Sequence, residues 1–400
     1  MRTISRQTSF WVAAGIAAIA LWTSAAPTVS YPLYAEQWRL TTSTTTAVFA
    51  VYPIVLVVAL AVFGNLSDYL GRRTAMLIGL AASFVGVLLF AVAPGVEWLF
   101  VGRAFMGLGV ALSLSPATAA VLEFSAPGQA KRASAVTTAA TAVGLGTATL
   151  VGGGLIEYAP LPLRLNFIVL LVVIAAVGAL TWFLPRHTAA EARGRWRPRG
   201  LTIPRGIRGF YAVGAIAVTA GFALGVIMLS LGADIAEQLI GSDNALVTGA
   251  VIALNAAAVG VAAITTRNLP PRTIIVAGAV ASVLGVSLLI LSATEHSLWV
   301  FLISAVVMGT GYSLFFSGGL GIVSANAPAH HRAGTLSAVY LVAYFFQGAL
   351  ALFLGALATA SGLQFALDLG AGIIAVFSLG ALVLALAIGR RPLAAEPAAA

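Results

Sequence analysis

Charge is scarce in this chain, and two places where it occurs hold most of the chemistry the sequence could perform. The first is the run Gly64-Asn-Leu-Ser-Asp68-Tyr-Leu-Gly71-Arg72-Arg73. Its glycines permit tight turns and close approach of a neighbouring helix. Asp68 is placed to accept hydrogen bonds at a helix N-terminus, where the dipole favours an anion. The second is Arg103, which falls about six residues inside an apolar stretch, hence about 9 Å from its end at 1.5 Å rise per residue. A guanidinium keeps its charge and so is no proton carrier. It can stabilise a nearby carboxylate or hold an anion, and a charge inside a span faces a cavity or a partner. A structural ion pair with Glu36 or Glu97, or snorkelling to the surface, remains the alternative.

Other chemistries find no support. Cysteine is absent, which removes disulfides, thiolate nucleophiles and Cys-ligated metals. His330 and His331 stand beside Arg332 without a carboxylate or third histidine nearby, so they read as a basic turn and not as a metal site. No Gly-x-x-x-x-Gly-Lys-Ser/Thr loop is present to drive a pump with ATP. The loops are too short for a catalytic domain. We expect no enzyme, no cofactor and no metal.

The elements that must position these residues are spans. The chain is 60% hydrophobic and only 8% charged, whereas soluble domains carry about 25% charge. Hydropathy places twelve helices near 10–33, 43–63, 74–93, 97–121, 133–156, 164–184, 209–232, 245–265, 273–293, 297–324, 333–358 and 365–389, each able to cross about 30 Å of hydrocarbon. The first reads as a span in preference to a cleavable signal peptide. All of the 21 Lys and Arg except Arg39, Arg103 and Arg164 then fall on one side. By the positive-inside rule that side is the cytoplasm, and both termini lie there. The net charge of +9 is therefore a matter of topology, and no nucleic-acid partner is expected.

An Arg- and Pro-rich stretch, 185–208, divides the chain into 1–184 and 209–389, followed by a tail at 390–400. The halves repeat at a shift of about 200 residues: Met106-Gly107-Leu-Gly109 answers to Met308-Gly309-Thr-Gly311, and Ala126-Pro127 before Arg132 answers to Ala327-Pro328 before Arg332. Asn268, Pro271 and Arg272 stand as a decayed twin of Asp68, Gly71 and Arg72. The expected fold class is an all-α membrane protein, with twelve transmembrane helices in two pseudo-symmetric six-helix bundles. Such duplicated bundles move a solute through their interface.

Gly64, Leu66, Asp68, Gly71, Arg72 and Arg73 resemble the inner-loop signature of the major facilitator superfamily of secondary transporters, with Tyr69 where the family often has Arg. The resemblance implies a latch that joins the bundles on the cytoplasmic face in the outward-open state. Arg103-Ala-Phe-Met-Gly107-Leu-Gly109 is similar to the family's fourth-helix motif, with Met106 replacing Gln, and that Arg is linked to proton-coupled members. Glu123 with Lys131 and Arg132 resembles the family's inner-gate charge network. The fifth helix retains the glycines of an antiporter element at Gly144, Gly146 and Gly152–Gly154 without its proline, and close helix packing is the stronger reading of them. A monomer is what the family implies.

By the same analogy helices 1, 4, 7 and 10, with 2, 5, 8 and 11, line the path. That places Trp22, Tyr52, Ser113, Asn255, Tyr312, Phe315, Phe316, Tyr344 and Gln347 in a substrate cavity, with Tyr340 and Tyr344 on one helix face. An aromatic lining with few hydrogen-bonding groups suits an amphipathic or neutral organic solute. The first helix lacks the acid that many exporters of the superfamily carry, so Asp234 and Asp368 are the candidates for proton coupling. The function expected is proton-coupled efflux of small organic compounds across the cell's inner (plasma) membrane. A sugar or metabolite permease and a non-transporting sensor are the alternatives.

Overall fold

In a computed structural model, residues 4–126, 129–185, 203–328 and 331–388 are described. The 185–208 linker beyond its ends, the 390–400 tail, His330 and the side chain of Lys131 lie outside them. The described chain is helical because hydrocarbon offers no partner for an unpaired backbone amide. Eleven helices among the described residues are long and apolar enough to cross a bilayer, and a twelfth apolar helix is shorter. In order they are α1 (Arg6–Trp38), α2 (Thr42–Phe63), α3 (Arg72–Ala91), α4 (Val96–Phe124), α5 (Ala130–Tyr158), α6 (Leu165–Thr181), α7 (Arg205–Leu239), α8 (Ala245–Thr265), α9 (Pro271–Thr294), α10 (Leu298–Asn326), α11 (Arg332–Ser361) and α12 (Leu363–Ile388).

Side chains mark several starts. Ser5, Thr41, Asn244 and Ser297 each accept a hydrogen bond from the backbone N–H three residues on, capping α1, α2, α8 and α10. Two helices run longer than hydropathy suggests. After Ala25, α1 passes through a 3₁₀ turn at Thr28–Ser30 into Tyr31–Trp38, and the far end of α7 is wound into π-helical turns at Ile227–Leu231 and Ile235–Leu239. Between those turns sits Asp234.

The helices form two halves, α1–α6 and α7–α12, and the repeat read in the sequence is a repeat of contacts. A Cβ on Gly109 of α4 would strike Ser83 of α3; one on Gly311 of α10 would strike Ser282 of α9. Gly86 abuts Met106 as Gly285 abuts Met308, and Gly107 faces the Tyr52 carbonyl as Gly309 faces that of Asn255. These glycines allow backbones to meet where no hydrophobic force separates helix from lipid. The register corrects one expectation. Arg73 donates to the Leu184 carbonyl at 3.3 Å and Arg272 to that of Leu386 at 3.1 Å, so Arg272 is the twin of Arg73 and not of Arg72. The shorter second loop has no counterpart to the helix Leu66–Leu70, and Asn268 therefore does not occupy the place of Asp68.

Two seams join the halves, α2 against α11 and α5 against α8. Large aliphatics such as Val280 and Val376 are left exposed around the outside, as lipid contact requires. Arg72, Arg73, Arg132, Arg267, Arg272 and Arg332 cluster at one end of the bundle, which we call the basic face.

Candidate functional site

Between the halves lies a cavity of about 870 Å³. Its blind end is formed by Ser24 of α1, Phe49 and Tyr52 of α2, Met228 of α7 and Gln347 of α11. From there it runs to the basic-face ends of the helices, past Thr118, Ser134, Ala263, Gly321 and Ser337 to Arg267 and Asn65. On the opposite face the halves are closed. Ser43 N–H donates to Thr359 Oγ1 at 2.8 Å, and Ala245 N–H donates to a Glu157 carboxylate oxygen at 3.0 Å, each bond crossing between halves. The protein is thus seen open on its basic face and shut on the other.

The two walls differ. The α7, α10 and α11 wall is a stack of rings. Phe222 and Tyr312 are parallel with centroids 6.0 Å apart, Tyr344 meets Phe222 edge-on at 4.7 Å, and Phe316 lies 6.0 Å from Tyr312 and 6.1 Å from Tyr340. Offset and edge contacts of this kind hold the rings against one another and leave their outer faces to a ligand. The facing wall carries a stripe of hydroxyls on α5: Ser134, Thr137, Thr138 and Thr141. The three threonines donate to carbonyls of their own helix, which leaves their oxygens to accept from a bound molecule. Asn255 is fixed by donation to the Ala305 carbonyl at 2.8 Å, and Gln347 Oε1 has no hydrogen-bond partner. Such a site can solvate an amphiphile.

Of the residues expected in the lining, Tyr52, Asn255, Tyr312, Phe316, Tyr344 and Gln347 are there. Three are not. Trp22 packs into the core; its neighbours Leu21 and Ser24 reach the cavity instead. Ser113 donates to the Gly109 carbonyl at 2.8 Å and backs onto Gly79 of α3. Phe315 is fully buried against Gly278 of α9, one residue and about 100° away from Phe316. Sequence reasoning missed Ser24, Phe49, Phe222, Met228 and the α5 hydroxyls. The stripe at i, i+3, i+4 and i+7 could have been found from its spacing.

The Gly64–Arg73 loop is organised by Arg72, which donates to Asp68 at 2.8 Å, to Ser67 at 2.6 Å and to Glu123 of α4 at 3.2 Å. Gly64 and Asn65 edge the cavity, Leu66 opens the short helix that carries Asp68, and Gly71 at φ 85° supplies a left-handed turn that glycine adopts without strain. Arg73 is buried with its guanidinium 5.3 Å from the Trp182 ring. The charge network differs from the expected one. Glu123 pairs with Arg72, and Arg132 donates to Gln129, the residue just before its own helix, at 3.1 Å. The last turn of α4 ends beside the start of α3, and that proximity selects the partner.

The candidate charges within spans part company. Asp368 is exposed on α12 and accepts from Gln364 at 3.0 Å, far from any lining role. Asp234 is buried at 7% exposure behind the closed face and does not line the cavity. Arg103 is wholly buried and pairs with neither Glu36 nor Glu97; its Nη1 donates to the Ser24 carbonyl at 2.8 Å. The glycines of α5 serve contact, Gly144 against Ala18 of α1 and Gly153 against Ala245 of α8.

Residues 10–262 match the family described as Major Facilitator Superfamily. Over 129 residues, 32% of this chain, the sequence is 35% identical to a protein named Multidrug efflux pump LfrA from Mycolicibacterium smegmatis (strain ATCC 700084 / mc(2)155). The match spans about a quarter of that relative's length. In fold, the chain is similar to a bacterial homologue of the human lysosomal transporter Spinster in an inward-facing, unoccupied conformation, with TM-score 0.74 and 14% identity over 98% of this chain and 99% of that one. It is similar also to a mutant of the peptide transporter POT in complex with sulfate, with TM-score 0.77 and 17% identity over 96% of this chain and 94% of that one.

Proposed function

Because the chain belongs to the Major Facilitator Superfamily, whose members are membrane transporters, we propose that it exports small amphipathic organic compounds by alternating access in exchange for protons. The observation that carries this reading is the cavity between the halves, sealed on one face and open on the other. Its volume lies in the range of drug-sized sites. The positive-inside rule puts the basic face in the cytoplasm of the cell's inner membrane, so the site loads from within. Rocking of the halves about the α2–α11 and α5–α8 seams then delivers the solute outside. The efflux relative, matched over part of its length, supports that direction.

Asp234 is the one buried carboxylate among the described residues. It stands between two π-helical turns, a local winding frequent at functional sites. Opening of the far face would expose it, which fits a group that takes up a proton outside and releases it inside. Because Asp234 does not line the cavity, its coupling to the solute would run through the movement of α7.

The test is flux in liposomes with N-phenyl-1-naphthylamine, a neutral amphiphile whose fluorescence reports its partition. An imposed pH gradient should drive net movement of the dye, and Asp234→Asn should abolish the gradient dependence while leaving exchange intact. Flux equal to that of protein-free liposomes would end the transport reading; gradient-independent flux in the native protein would leave only facilitation. Phe316→Ala removes a half-buried ring from the middle of the stack. It should weaken dye binding about tenfold, since an aromatic contact contributes about 0.5–1.5 kcal/mol beyond its area, and calorimetric titration would read the change.

A further inference from the structure

The cavity contains no carboxylate among its described lining residues; its one charged side chain is Arg267, exposed at the mouth. Behind its blind end stands a second cation. The Arg103 guanidinium carbon lies 4.8 Å from the Tyr52 ring centroid and 5.6 Å from that of Phe49, and its single hydrogen bond goes to the carbonyl of Ser24. Ser24, Phe49 and Tyr52 all line the cavity. The guanidinium is therefore one aromatic layer from the space a solute would occupy.

Arg103 is also under-satisfied. It is 0% exposed, and its Nε and Nη2 have no hydrogen-bond partner. The ion pairs among the described residues belong to Arg72, with Asp68 and Glu123. A buried charge without a counter-ion is strongly unfavourable. One carbonyl and two ring faces offset only part of that deficit. A role confined to pinning α4 to α1 would need no more than the Nη1 bond already made. The idle Nε and Nη2 form the edge of the planar fork that a carboxylate engages with two parallel hydrogen bonds.

We infer that the cavity selects aromatic organic acids, with the ring system stacked on the Phe222–Tyr312–Phe316 wall and the anionic head drawn past Tyr52 to Arg103. The inference rests on the exporter reading above and sharpens its substrate class. Arg267 at the mouth and Arg103 at the far end give the path one sign of charge. Anions are drawn along it and cations are opposed, and the attraction is strengthened by the low dielectric of the interior.

Three ligands of one shape decide it: 2-naphthoate, 2-naphthamide and 2-naphthylmethylamine, which at neutral pH are anionic, neutral and cationic. Titrated calorimetrically into purified protein in nanodiscs, they should bind in the order acid, amide, amine, with about tenfold or more between first and last. Arg103→Gln should weaken the acid about tenfold and leave the amide within about twofold, while Arg103→Lys should restore part of the preference. An order that is flat or favours the amine overturns the inference, and this needs no variant. So does an Arg103→Gln protein that still binds the amide and keeps the full preference for the acid. Failure here is separable from failure of the exporter reading. Binding order requires no flux, so transport of the neutral dye combined with a flat order would retain export and discard the acid preference.

Discussion

Gly249→Val should yield a folded protein that no longer transports. Gly249 is the fifth residue of α8, and a Cβ there would run into the backbone carbonyl of Thr149 on α5. Neither atom belongs to a flexible side chain, so the helices themselves must separate. The contact crosses between halves toward the closed face, and opening of that face is expected to part it. Overpacking of this kind costs about 1–3 kcal/mol or more, and each 1.4 kcal/mol is about tenfold in an equilibrium. The substitution therefore tips the population by about tenfold to a hundredfold toward the state open on the opposite face. The cysteine-free chain allows a clean readout. A single cysteine introduced at Thr138, inside the cavity, should react readily with an impermeant maleimide from the basic face in the otherwise native protein. The same cysteine should react about tenfold more slowly in the Gly249→Val background. Unchanged labelling together with native flux would remove the α5–α8 seam from the gating account.

Gly144→Leu should instead cost the fold. Gly144 of α5 lies against the backbone of Ala18 on α1, and an added Cβ would meet its carbonyl. Both helices belong to the same half and travel together, so no alternative state of the protein relieves the clash. A whole isobutyl group forced between two backbones exceeds the usual overpacking cost of about 1–3 kcal/mol, set against a total stability of about 5–15 kcal/mol. Monodisperse protein after detergent extraction should be largely lost. Recovery of the variant with the native melting temperature would show that α1 and α5 can part, and that the first half is not a rigid body. The contrast between these two glycines separates residues that build a half from residues that let two halves touch.

Much of the architecture was legible because lipid imposes a coarse rule. A span must be about 20 apolar residues long, and the twelve expected spans fall on the twelve helices to within a few residues at most ends. The exceptions, the far ends of α1 and α7, run past the hydrophobic stretch into polar residues, among them the exposed Glu36, Gln37, Glu237 and Gln238. The repeat was readable at Met106-Gly107-Leu-Gly109 and its counterpart, since both copies keep the same backbone approach. It failed by one position at Arg272, where the shorter loop breaks the register.

The site was harder. Ser113, Phe315 and Phe316 were all expected in the cavity, and of the three Phe316 lines it, together with the unforeseen Ser313. In a soluble helix the polar face announces the solvent side; in these spans lipid, core and cavity faces are all largely apolar, so composition does not reveal rotation. Glu123 was grouped with Lys131 and Arg132 through resemblance to the family's inner-gate charge network, yet the end of α4 delivers it to Arg72. The sequence by itself determined how many apolar helices are long enough to span a membrane, that most cations gather at one end of them, and which family its signature loop resembles, because hydrophobic length and charge asymmetry are properties of a line of residues. Which residues meet at the cavity, that Arg103 lacks a counter-ion, and which face stands open were decided by tertiary structure alone, because each depends on the rotation and separation of helices that lipid leaves undetermined.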